Sequence, residues 1–162
     1  MTQIRRNRTV TIRKVLTLVV CCFILNGCRE KSVKWSIVTA IEKECQQADT
    51  CTVDLKGITN FAWDKLYLFD VSGADDVDTV LGFHYPYFED VASRIIFVKN
   101  NQVVYHEDEY PNPDKPPIAN ITFNLGGAHA YVCTPKNATF GVKKTTEDKY
   151  SSYVLTPVKQ GK

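Results

Sequence analysis

Ser93-Arg94-Ile95-Ile96-Phe97-Val98-Lys99, then Asn100-Asn101, then Gln102-Val103-Val104-Tyr105-His106, is the stretch whose reading decides the fold. Two runs rich in β-branched and aromatic residues flank an Asn pair. Asn tolerates the positive φ that a tight type I′ turn requires, so the segment predicts an antiparallel hairpin. Working outward, residues 118–125, 129–133, 140–145 and 150–158 alternate or are β-rich. Gly126-Gly127, Pro135-Lys136-Asn137 and Glu147-Asp148-Lys149 separate them as turns. Upstream, residues 50–55 (TCTVDL) and the run from Trp63 to Val71 (WDKLYLFDV) also read as strands. Pro111, Pro113, Pro116 and Pro117 make residues 109–117 an irregular loop, because none can donate to a ladder.

Two helices complete the pattern. Trp35, Val38, Ile41 and Cys45 recur at three- and four-residue intervals, with Ser32 as an N-cap, which predicts an amphipathic helix over 32–47. Residues 74–82 begin with acids, carry Val77, Val80 and Leu81, and stop at Gly82, which predicts a short second helix. The expected fold class is α+β, one N-terminal amphipathic helix packed on a mainly antiparallel sheet of six to eight strands.

Composition bounds the function. At 162 residues, 44% hydrophobic and 23% charged, the chain is one globular domain's worth, and no low-complexity class fits. The formal charge of +2 is set by Arg5, Arg6, Arg8, Arg13 and Lys14, which lie in a leading segment with no acid before Cys28. Without these five, 15 basic residues face 18 acidic ones, so the remainder is acidic and carries no nucleic-acid footprint.

That leading segment has the tripartite plan of a secretory signal: a basic stretch to Lys14, the apolar run Val15–Leu25 (VLTLVVCCFIL), then Asn26-Gly27-Cys28. Eleven apolar residues make a helix of roughly 16 Å, about half the hydrocarbon thickness, so the run is a cleaved segment and not a spanning one. Arg5-Arg6 is followed by Asn7-Arg8-Thr9, which does not reproduce the twin-arginine pattern. Leu25-Asn26-Gly27-Cys28 resembles the lipobox of bacterial lipoproteins, with Asn26 in place of the usual residue at −2. The resemblance implies cleavage between Gly27 and Cys28, and an S-diacylglycerol and an N-acyl chain (palmitate) on Cys28. Such chains anchor a protein to a membrane without a spanning helix. Arg29 stands where enterobacterial lipoproteins carry the Asp that retains them in the inner membrane, so the outer membrane is expected. The organisation expected is therefore signal peptide 1–27, tether 28–31 and one periplasmic domain over 32–162.

With Cys21 and Cys22 in the apolar run and Cys28 as the lipid site, Cys45, Cys51 and Cys133 belong to the folded part. One disulfide and one buried thiol is the simplest arrangement. The six-residue separation makes Cys45–Cys51 the expected pair, with pairing of either to Cys133 left open.

Phe61-Ala62-Trp63-Asp64-Lys65-Leu66-Tyr67-Leu68-Phe69, then Val80-Leu81-Gly82-Phe83, then Ile96-Phe97-Val98-Lys99-Asn100 follow one another in the order found in a group of small, uncharacterised bacterial envelope proteins. In that group a WDK-type strand, a Leu-Gly-Phe helix end and an FVKN-type hairpin recur together. The resemblance covers residues 60–106 and implies an accessory envelope lipoprotein. No catalytic residue is established for the group, so it assigns none.

Candidate chemistry is thin. His84, His106 and His129 lie 22 and 23 residues apart with no metal-binding spacing, so no metal or cofactor is expected. In His106-Glu107-Asp108-Glu109 an extended strand puts His106 and Asp108 on one face and Glu107 and Glu109 on the other. This is the basis of an alternative reading as a periplasmic small-ligand or divalent-cation binding protein, although a charge run at a strand end is ordinarily solvated surface. Gly126-Gly127-Ala128-His129 reads as a turn, and His129 and Cys133 sit too far apart on a strand for a dyad. Phe83, Tyr85, Tyr87 and Phe88, interleaved with His84 and Pro86, either offer apolar anchors to a protein partner or close one edge of the core. The function expected is non-enzymatic: an envelope stress or quality-control accessory, or an immunity-type inhibitor, acting by contact with another envelope component.

Overall fold

The structure, a computed structural model, describes residues 32–46, 48–70, 74–87, 93–110, 114, 117–147 and 150–158. The expected signal peptide, Gly27, Cys28, Arg29, the tether and Phe88 lie outside these residues.

Helix α1 (Val33–Cys45) buries Val33, Lys34, Ile37, Val38, Ile41 and Cys45. The expected apolar stripe is thereby corrected at one position, since Trp35 is 57% exposed. At 3.6 residues per turn its side chain lies about 120° round from the centre of the buried arc, and Val33 and Ile37 fill the place it was expected to take. Ser32 stands at the N-cap, but its hydroxyl makes no bond to its own helix and donates instead to Glu107 Oε1 at 2.8 Å.

Strand β1 (Thr50–Asp54) follows, then a 3-10 turn at Leu55–Gly57 and β2 (Lys65–Phe69). The second helix, α2 (Ala74–Leu81), ends at Gly82, whose φ of 77° suits a residue without Cβ. The hairpin is β3 (Ser93–Lys99) and β4 (Gln102–Glu109), with Asn100 and Asn101 at φ 50° and 58°, as the type I′ reading requires. Asp64 secures the turn by accepting the Asn100 amide at 2.8 Å. A 3-10 turn at Ile118–Asn120 leads into β5 (Ile121–Phe123). Then come β6 (Ala130–Cys133), β7 (Thr139–Glu147) and β8 (Tyr150–Pro157).

The described residues form an α+β fold with eight strands. The expectation of one sheet is corrected to two sheets of four, in the orders β1-β7-β8-β5 and β4-β3-β2-β6. The physical reason lies in β2 and β3. Leu66, Leu68, Ile95 and Phe97 point to one face and Tyr67, Phe69, Ile96 and Val98 to the other, all buried, so both faces of this second sheet need cover. Leu66, Leu68, Ile95 and Phe97 share a core with Val53, Phe140, Val142, Tyr153 and Leu155 of the first sheet and with the buried arc of α1. Tyr67, Phe69, Ile96 and Val98 share a second core with Val77 and Leu81 of α2. Among the described residues all strand pairings are antiparallel except β5 with β8, which is parallel.

Cys45 and Cys51 form the expected disulfide, with Cα atoms 5.5 Å apart, joining the end of α1 to β1. Cys133 is a buried free thiol. Because the bridge closes a short loop, replacing both Cys45 and Cys51 by Ala is expected to lower stability by about 2 kcal/mol. Guanidinium unfolding midpoints of the two proteins, with unchanged slope, check this.

Candidate functional site

The residues singled out in the sequence come together around β4. Between Phe97 and Val98 the β3–β4 register shifts: Val98 pairs with Val103 but Phe97 with Tyr105, leaving Val104 as an extra residue. Beyond the bulge, Tyr105, Glu107 and Glu109 face α1, while His106 and Asp108 face α2 and the loop after it.

On the α1 side the acids are committed to the fold. Glu107 accepts the Ser32 hydroxyl and, at 2.6 Å, the Tyr105 hydroxyl, whose oxygen accepts the Val33 amide at 3.1 Å. Glu109 pairs with the buried Lys34 ammonium and accepts the Ile118 amide. On the other side, Asp108 pairs with the fully buried Arg94 across the ladder, Oδ2 to Nε at 3.3 Å. The expectation of a solvated charge run is therefore corrected. Three of its four members hold ion pairs or hydrogen bonds, and only His106 is exposed. Glu107 and Glu109 face away from His106 and Asp108, so the four do not converge on a cation. Among the described residues no group of three or more His, Cys, Asp or Glu is arranged to hold a metal ion.

The aromatic loop divides. Asp78 of α2 accepts the Tyr85 amide at 2.8 Å and contacts His84 Nδ1 at 2.9 Å. The His84 bond first, and then the Tyr85 amide, hold its carboxyl below the ordinary value of 3.8. This folding of the loop back onto the helix drives Tyr85 into the core and packs Phe83 against it, while Tyr87 remains 50% exposed. The Tyr87 ring then stacks on His106, centroids 4.3 Å apart and planes within 12°, and Tyr85 meets both rings edge-on. The expected anchor group is thus one core residue, one half-buried residue and one exposed ring, and the exposed ring is joined by a His that sequence spacing did not connect to it.

The remaining candidates are structural. Gly126 and Gly127 adopt φ of 67° and 84° in a turn closed by Asn124, and the His129 carbonyl accepts the Asp70 amide at 3.0 Å. Burial pushes the Cys133 thiol up to about 12, which removes the thiolate that nucleophilic or metal chemistry requires. Sequence reasoning missed Arg94 and Lys34 as buried cations. Nothing local distinguishes them from surface charges, and only the strand register reveals their partners.

Comparison with known protein families, curated proteins and solved structures finds no match.

Asp108→Ala is expected to cost about 3 kcal/mol by removing one partner of a buried ion pair, whereas His106→Ala should lose only the ring contact, about 1 kcal/mol. Urea unfolding of the two variants separates these outcomes. The Cys133 peptide should resist maleimide at pH 8 in the folded protein and label fully in guanidinium, as read by mass spectrometry. The unfolded thiol gives up its proton near 9.0 and the folded one near 12, so stability should fall as the pH rises through that window.

Proposed function

We propose that the chain is a lipid-anchored bacterial envelope lipoprotein, exported by the segment ending at Gly27 and acylated at Cys28, whose folded unit acts without catalysis by contact with another envelope component. The observation that carries this reading is the ordered N-terminus: basic stretch, eleven-residue apolar run and Leu25-Asn26-Gly27-Cys28. The Cys45–Cys51 disulfide supports an oxidising compartment such as the periplasm. Arg29 after the lipid site favours the outer membrane. The motif order over residues 60–106, by its resemblance to small envelope proteins, favours an accessory role in envelope stress or quality control, and a toxin neutralised by an immunity-type contact is the other partner class. A neighbouring toxin gene separates the second from the first.

The contact surface proposed is the exposed Tyr87–His106 stack. Stacked rings present a large rigid area at low entropic cost, as interface hot spots do. The cation-binding reading draws no support from residues 106–109, whose acids are divided between two faces.

Expressed in a Gram-negative host, the protein should carry the mass of an acylated chain starting at Cys28 and sediment with membranes, and Cys28→Ala should do neither. A photo-crosslinking residue at position 87 should capture an envelope protein that is not captured from position 56, on the exposed Lys56. Soluble protein with an unmodified Cys28 overturns the anchored reading.

A further inference from the structure

We infer that the end of the folded unit bearing Trp35, Tyr110 and Ile118 rests on the lipid surface of the membrane that holds the Cys28 anchor, an inference that rests on the lipoprotein reading above. Three bonds fix where the chain enters the fold: Ser32 to Glu107, the Val33 amide to Tyr105, and Lys34 to Glu109. The entrance is therefore pinned to the far end of β4. Glu109 also takes the Ile118 amide, so Tyr110, next in the chain, and Ile118 flank the carboxylate that holds Lys34. Trp35 follows Lys34 directly. It lies on the flank of α1 shared with Glu42, which accepts the Tyr153 hydroxyl of β8 at 3.3 Å, and α1 packs against the Ile118–Asn120 turn that leads to β8's neighbour β5. Three large apolar side chains at this entrance are exposed: Trp35 57%, Tyr110 47% and Ile118 36%.

Only Arg29, Glu30 and Lys31 stand between Cys28 and Ser32. Four residue steps reach at most about 14 Å even fully extended. Acyl chains on Cys28 hold it at headgroup level, so Ser32 lies within that distance of the interface. Trp35 is only about 5 Å further along the helix. Tryptophan and tyrosine are the residues favoured at the headgroup boundary, where an apolar ring and a polar atom are both accommodated. Arg29 and Lys31 add attraction for anionic headgroups. The tether thus delivers this end of the fold to a lipid surface.

Trp35 provides the test, because the chain has two tryptophans and the other, Trp63, is buried. Full-length acylated protein is reconstituted in phosphatidylethanolamine–phosphatidylglycerol vesicles whose acyl chains are brominated near the headgroup. Emission from Trp35 is taken as the difference between wild type and Trp35→Phe, a change at an exposed position that leaves the core intact. Expected is a loss of roughly half the Trp35 emission, as for a ring at the headgroup–acyl boundary, with Trp63 emission unaffected. Protein that is acylated by mass and floats with the vesicles, yet shows no Trp35 quenching, overturns the inference while leaving the anchored reading in place. Protein that is unacylated and does not float overturns both.

Discussion

The bulge at Val104 is the constraint on which the rest of the structure depends. A two-residue turn at Asn100-Asn101 with unbroken alternation would place Tyr105 opposite Ile96 and Glu107 opposite Arg94. One extra residue moves Tyr105 opposite Phe97 and Asp108 opposite Arg94. Every side chain beyond it changes face as a result. Tyr105 joins Phe61 and Phe97 in the core under α1, Glu107 and Glu109 meet the start of that helix, and His106 meets Tyr87. Without the bulge, Glu107 and Glu109 would turn away from the start of the helix and Glu107 would stand opposite Arg94 in place of Asp108.

The two ion pairs set up in this way are not a large source of gross stability. Removing Lys34 and Arg94 from water costs several kcal/mol each, and Coulomb attraction to Glu109 and Asp108 offsets that only when geometry is kept. An apolar residue at either position would pack without constraining its surroundings. Each pair ties β4 to a neighbour, Glu109 to the start of α1 and Asp108 to β3. Lys34 also ties α1 to β4, a strand 75 residues away in the chain.

What was legible in the sequence follows from this. The hairpin, its Asn-Asn turn, α2 with its Gly82 stop and the Cys45–Cys51 pair are written in contiguous residues, where turn chemistry and spacing act locally. The split into two sheets was not legible. Buried strands such as β2, apolar on both faces, give the same signal whichever sheet they enter, and the parallel β5–β8 pairing depends on where the chain returns. Trp35 misled for a related reason: it recurs at helical spacing with Val38 and Ile41, but Ile37 shifts the centre of the stripe away from it. The Tyr87–His106 stack was invisible because its halves are recognised as separate motifs, an aromatic loop and a charge run, and only the bulged register makes them neighbours.

The polar groups around β4 are committed to holding the fold together. A catalytic or metal centre needs several polar groups aimed at one vacant point. Here Asp78 accepts the loop amide of Tyr85 and meets the exposed His84, Asp108 pairs with Arg94, and Glu107 and Glu109 hold the head of α1. Each is held by donors of the fold itself, so binding an ion or substrate there would first have to break a bond that keeps an element in place. Among the exposed apolar side chains are Tyr87, stacked on His106, and Trp35 and Tyr110. Rings need no activation and gain free energy on desolvation alone.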